Sequence, residues 1–121
     1  MRVFKSKWFT RFADAEGITD EDLKASIAQA DRGLIEANLG GGVIKQRIAR
    51  EGSGKSAGYR TIVLYRTATR SFFVYGFPKS SRANIKQDEL AAFKKLAKAT
   101  LDLSEGDLKK ALQNGTYVEV I

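Results

Sequence analysis

Cysteine and histidine are both absent from this chain of 121 residues. The first absence excludes a disulfide framework and thiolate metal sites; the second removes the commonest metal ligand and the commonest general acid or base. Chemistry must therefore run on Lys, Arg, Tyr, Asp, Glu, Ser or Thr, and neither a metal nor a cofactor is expected. Long apolar runs are lacking too. The opening Met-Arg-Val-Phe-Lys-Ser-Lys-Trp has no stretch long enough for a signal peptide, and nothing approaches the roughly 20 residues of a membrane span. A cytoplasmic protein with no membrane partner is expected. There is no internal repeat, low-complexity tract or linker, and the hydrophobic content of 43% is enough for a real core. Residues 1–121 are read as one domain.

Acidic residues are scarce in one place. Between Val43 and Arg82 stand nine Lys or Arg residues (Lys45, Arg47, Arg50, Lys55, Arg60, Arg66, Arg70, Lys79, Arg82) and one acid, Glu51, a net +8. The other 81 residues hold 12 bases and 13 acids and come to −1, so the formal +7 of the chain originates in a single segment. A local excess of this kind concentrates potential where the phosphates of a polyanion could dock.

Helices are predicted at both ends of a strand-rich centre. Phe4, Trp8, Phe9 and Phe12 have the spacing of a helical apolar stripe closed by Gly17, and are assigned to the core rather than to base stacking. Thr19 is a capping hydroxyl for a second helix, with Ile18 and Leu23 as its hydrophobic staple. Leu23, Ile27, Ala30 and Leu34 share a face, and the two helices are expected to form a hairpin. Gly40-Gly41-Gly42 ends that region. Val43 to Ala49 alternates as a strand with Lys45 and Arg47 on one face; a loop from Glu51 to Gly58 follows, then strands at Tyr59 to Arg66 and Arg70 to Phe77, closed by Pro78. Asn84 is the expected cap of the next helix and Ser104 that of a last one over residues 105–113. Tyr117 to Ile121 has the composition of a final strand.

Ala49 to Ser56 fits the loose phosphate-loop pattern [AG]-x-x-x-x-G-K-[ST], yet that motif must open directly into a helix. Here Ala57 to Val63 has the composition of a strand. Nucleotide binding is therefore rejected, and Lys55 retains interest for a different reason.

The basic strand Val43-Ile44-Lys45-Gln46-Arg47-Ile48, the turn Lys55-Ser56-Ala57-Gly58-Tyr59-Arg60, and the run Phe72 to Lys79 together resemble the RelE/HigB superfamily of bacterial toxins. Within it the chain is most similar to the HigB-like branch. The resemblance implies a small RelE-like α+β fold, with an N-terminal helical hairpin packed on a curved, mainly antiparallel sheet, C-terminal helices, and helices on one side of the sheet. It implies a toxin of a type II toxin–antitoxin system: a metal-independent endoribonuclease, or mRNA interferase, that enters the ribosomal A site, cleaves mRNA there and inhibits translation. Its cognate antitoxin would be a helix-turn-helix DNA-binding protein.

Lys45 and Arg47 match the family's basic strand pair, Lys55 the basic residue before Ser-x-Gly, Arg60 the arginine two after that glycine, and Lys79 the lysine after the last strand. Where some members have an arginine after that lysine and then a tyrosine, this chain has Ser80, and Arg82 is the replacement available. Cleavage by the RNA's own 2′-hydroxyl needs a base, a phosphate clamp and an acid. A lysine crowded by cations can supply a proton-transfer group, and the guanidinium fork matches phosphate oxygens. Lys45, Lys55 and Lys79 are thus the base or acid candidates, and Arg47, Arg60 and Arg82 the clamps. Arg60, at the start of a strand, is expected to be removable without loss of the fold. Two other readings use the same scaffold: a gyrase-poisoning toxin of the ParE-like branch, which needs no phosphate-clamping cleft, and a non-catalytic RNA-binding regulatory module.

Overall fold

In the computed structural model, which describes residues 1–50 and 54–121 and leaves the side chains of Arg50 and residues 54–57 outside that description, ten elements follow one another. They are β1 (Arg2–Ser6), α1 (Lys7–Glu16), α2 (Asp20–Asp31), β2 (Ala37–Gly40), β3 (Val43–Arg50), β4 (Gly54–Arg66), β5 (Arg70–Pro78), α3 (Gln87–Leu101), α4 (Glu105–Gln113) and β6 (Tyr117–Val120). The strands form one sheet ordered β2-β3-β4-β5-β1-β6, antiparallel throughout except for the parallel pair β1 and β5. This is an α+β chain with four helices on a mostly antiparallel sheet, as expected.

Helices cover both faces of the sheet, not one. Phe9 and Ala13 of α1 and Leu23 and Ile27 of α2 pack with Ile44, Val63 and Phe73; Ala97 and Leu101 of α3 and Leu108 of α4 pack on the opposite face with Val43, Ile62, Leu64 and Phe72. That double cover explains why the central strands lack alternation: every residue of β4 from Gly58 to Tyr65 is buried. Two of the four aromatics depart from their assignment: Trp8 lies on α1 as expected but is 43% exposed rather than part of the core, and Phe4 is not in the helix at all. Phe4 belongs to β1, where Val3 and Phe4 are buried on opposite faces and Phe4 stacks on Phe72 with ring centroids 4.8 Å apart. A strand buried on both sides imitates the start of a helical stripe.

The local stop and start signals are realised at most boundaries. Gly17 closes α1 in the left-handed region (φ 73°), and the Thr19 hydroxyl accepts from the Asp22 N–H while Asp22 accepts from the Thr19 N–H. Ser104 accepts from the Asp107 N–H. Three boundaries differ. Leu34 lies beyond the end of α2 and is 59% exposed, so it is not part of the core face. α3 starts at Gln87, because the Glu89 carboxylate accepts from the Lys86 N–H at 2.7 Å; Asn84 caps only the Ile85 N–H. β4 begins at Gly54, inside the expected loop, and continues as strand, which removes the helix a phosphate loop requires. β6 pairs with β1 within the sheet. Among the described residues no helix is long and apolar enough to cross a membrane.

Candidate functional site

Register assembles the strand part of the site. β3 and β4 pair Lys45 with Ile62 and Arg47 with Arg60; β4 and β5 pair Ile62 with Tyr75 and Arg60 with Phe77. Directly paired residues project to the same face, so two rows run side by side: Lys45, Ile62, Tyr75, and Arg47, Arg60, Phe77. The Arg82 guanidinium then folds over the β5 end of both rows, 5.9 Å from the Tyr75 ring centroid and 5.4 Å from that of Phe77. Four of the cations singled out in the sequence thereby share one face, the same face that α3 covers further along at Leu64 and Phe72.

Two carboxylates stand among them. Glu36, in the segment before β2, places Oε1 2.9 Å from Arg60 Nε and 3.4 Å from Arg47 Nε. Its backbone is fixed by buried Gln46, whose Oε1 accepts from the Glu36 N–H while its Nε2 donates to the carbonyls of Ser26 and Leu34. Arg60 is only 4% exposed and its Nη1 is buried without a hydrogen-bond partner among the described residues. Arg60 is therefore an internal cation with a fixed counter-ion rather than a removable surface one. Arg47 is half exposed and Lys45 half buried, which leaves these two as the cations of the rows open to solvent.

Arg82 is held from three sides. Its Nη atoms donate to both oxygens of Glu89, Nε donates to the Asn84 carbonyl at 2.9 Å, and Nη1 donates to the Tyr75 hydroxyl at 3.0 Å. The bond from Arg82, aided by the Lys86 N–H, pulls the Glu89 carboxyl down to about 2. A depressed carboxyl contributes stability above its unfolded pKa and loses it as pH falls through the folded one. The Arg82–Glu89 pair should thus be fully ionised at pH 5 and come apart only between about pH 4 and 2. A carboxyl-carbon NMR titration should find the Glu89 midpoint near 2 in the native protein and near the ordinary carboxylate value in Arg82→Gln; a midpoint above 4 in the native protein means that the bidentate contact is absent in solution.

The remaining basic residues are divided between structure and rim. Arg66 and Arg70 lie at the far end of β4 and β5, about 20 Å along the strand from Arg60 at ~3.3 Å per residue. Arg66 donates to the Leu101 carbonyl and Asp102, and Arg70 to the Leu103 carbonyl and Glu105, so both fasten the α3–α4 connection. The charge excess is one segment in sequence and two regions in space. Lys79 is exposed at the end of β5, where its N–H donates to the Gly58 carbonyl. Lys55 and Arg50 have side chains outside the described residues. Glu36, Glu89 and Phe77 are not indicated by the sequence, and Tyr75 is the tyrosine whose hydroxyl reaches the guanidinium of Arg82.

The face thus combines four cations, two carboxylates and one phenol, a net +2, with Lys45, Arg47, Arg60 and Tyr75 on strands and Glu36, Arg82 and Glu89 on the segments beside them. Arg47 and Lys45 can meet an anion directly, Arg82 presents a guanidinium already aligned by Glu89, and Tyr75 carries a proton that could be donated. Residues 1–120 match a protein-family model described as the RelE toxin of the RelE/RelB toxin–antitoxin system. No curated protein matches the chain significantly.

Proposed function

We propose, because this chain belongs to the RelE toxin family, that it is the toxin of a type II toxin–antitoxin pair and acts in the cytoplasm as a ribosome-dependent mRNA endonuclease of the HigB-like branch. Membership carries the coarser part: a toxin with an antitoxin partner. The observation that supports the finer part is the placement of Lys45, Arg47 and Arg60 on one sheet face by register, with the Arg82 guanidinium folded over the same face.

In this reading the 2′-oxygen of the RNA attacks the adjacent phosphorus, the bond to the 5′-oxygen breaks, and a 2′,3′-cyclic phosphate and a 5′-hydroxyl result. Arg47 clamps the phosphate oxygens from the solvent side, and Arg60, fixed by Glu36, adds positive potential from within the sheet. Lys45 or Lys55 takes the 2′-proton, and Arg82 with Tyr75, or Lys79 from the rim, serves the departing 5′-oxygen. No metal is required by this scheme. The antitoxin, proposed to be a helix-turn-helix DNA-binding protein, silences the toxin by covering the same face.

Primer extension on transcripts after brief expression is the test. Cuts inside translated codons, lost in the Lys45→Ala/Arg47→Ala double variant, are expected. DNA damage without mRNA cuts would move the protein to the gyrase-poisoning branch, and growth arrest with neither would leave an RNA-binding module.

A further inference from the structure

Trp8 is the chain's only tryptophan, and it is 43% exposed although it lies in the first turn of α1 with an aromatic stripe behind it. Its companions Phe4 and Phe9 are fully buried. The indole stacks on Phe12, ring centroids 5.3 Å apart and 16° from parallel, and meets Tyr75 at 4.7 Å, 34° from parallel. Tyr75 in turn accepts from Arg82 at 3.0 Å. An exposed indole is thus separated from the cationic face by a single phenol ring. Exposed Arg11 stands three residues on along α1, on the same side of the helix.

A large apolar ring left in water costs free energy unless something covers it. An indole immobilised by neighbouring rings and flanked by cations is the arrangement by which proteins seat unpaired nucleobases, because the base stacks on the ring while its phosphates meet the positive charge. We infer that Trp8 is a base-stacking residue that receives a nucleotide next to the one held at the cationic face. This rests on the reading of that face as an RNA site and adds to it a contact with a base, where the cations supply contacts to phosphate only. Orientation follows: a strand whose phosphate lies on Arg47 and Arg82 must pass Tyr75 to place its neighbouring base on the indole.

Because Trp8 is the single tryptophan, its emission reports the contact directly. Two probes are titrated into the free protein: a short 2′-O-methyl oligoribonucleotide, which cannot be cleaved through its 2′-oxygen, and inorganic polyphosphate of matched charge, which has no bases. Calorimetry measures the affinity of each. The oligonucleotide is expected to quench the emission and polyphosphate to bind without quenching. Trp8→Ala should weaken oligonucleotide binding about tenfold, Trp8→Phe should restore most of it, and polyphosphate affinity should be unchanged in both. Oligonucleotide binding with no quenching, or with the same affinity in Trp8→Ala, overturns the stacking role while leaving the RNA reading intact. Failure of the oligonucleotide to bind overturns both. Equal loss of both probes in Trp8→Ala and Trp8→Phe assigns Trp8 to the core.

Discussion

Glu36→Ala should lower the stability of the native protein by about 3 to 5 kcal/mol, the cost of removing one partner from a buried ion pair. Arg60 is the reason. Its side chain is 5% exposed, its Nε lies 2.9 Å from Glu36, and its Nη1 already lacks a partner among the described residues, so loss of the carboxylate leaves a guanidinium buried with its charge uncompensated. Urea unfolding should show a lower midpoint at unchanged slope. Arg60→Ala should also destabilise, in contrast to the expectation from sequence, where Arg60 stands at the start of a strand with no visible partner. Replacing both at once, Glu36→Leu with Arg60→Met, should recover most of the loss, because apolar groups of similar volume often match a buried pair in stability. That double variant separates two roles of Arg60. If it folds well yet its mRNA cutting falls about 100- to 1000-fold, the charge of Arg60 acts in the transition state. If it cuts normally, Arg60 is structural. A Glu36→Ala variant within 1 kcal/mol of the native protein would show that the pair is open to water.

Much of the fold is legible in the sequence because it is encoded locally. Thr19 and Ser104 each announce a helix through a hydroxyl and an acid three residues on, and both caps form. β3 is legible through its alternation, which by itself puts Lys45 and Arg47 on one face. What cannot be read depends on tertiary cover. β1 is short and buried on both faces, so Phe4 joins the wrong pattern; β2 (Ala37–Gly40) has too few residues for any period to show. The site is half legible for the same reason. Lys45, Arg47 and Arg60 stand in the stretches on which the resemblance rests, whereas Glu36 is 24 positions from Arg60 and reaches it only because Gln46 ties down the loop. Charge counting also overstates the site, since Arg66 and Arg70 answer to the carbonyls and acids around Leu101 to Glu105.

Glu36 and Glu89 bear on how the proposed cleavage can run at all. With no histidine in the chain, and with Arg60 and Arg82 each already paired to a glutamate, the face is better suited to holding a phosphate than to moving protons rapidly. Most of the rate must then come from alignment of the 2′-oxygen, phosphorus and 5′-oxygen, and orientation of this kind can supply up to about 7 to 11 kcal/mol. Free mRNA is flexible and seldom adopts the in-line geometry; a message held in the ribosomal A site can be bent into it and kept there. The purified protein is therefore expected to be nearly inert toward naked RNA and to cut the same RNA at least about a thousandfold faster on translating ribosomes, a difference of only ~4 kcal/mol and well within what alignment provides. Single-turnover cleavage of one end-labelled transcript, with and without ribosomes stalled on it, measures the ratio. Rapid cutting of naked RNA that ribosomes do not accelerate, and that disappears in Lys45→Ala, would mean that the sheet face carries a complete acid–base apparatus of its own, with Lys45 rather than substrate geometry supplying the missing catalysis.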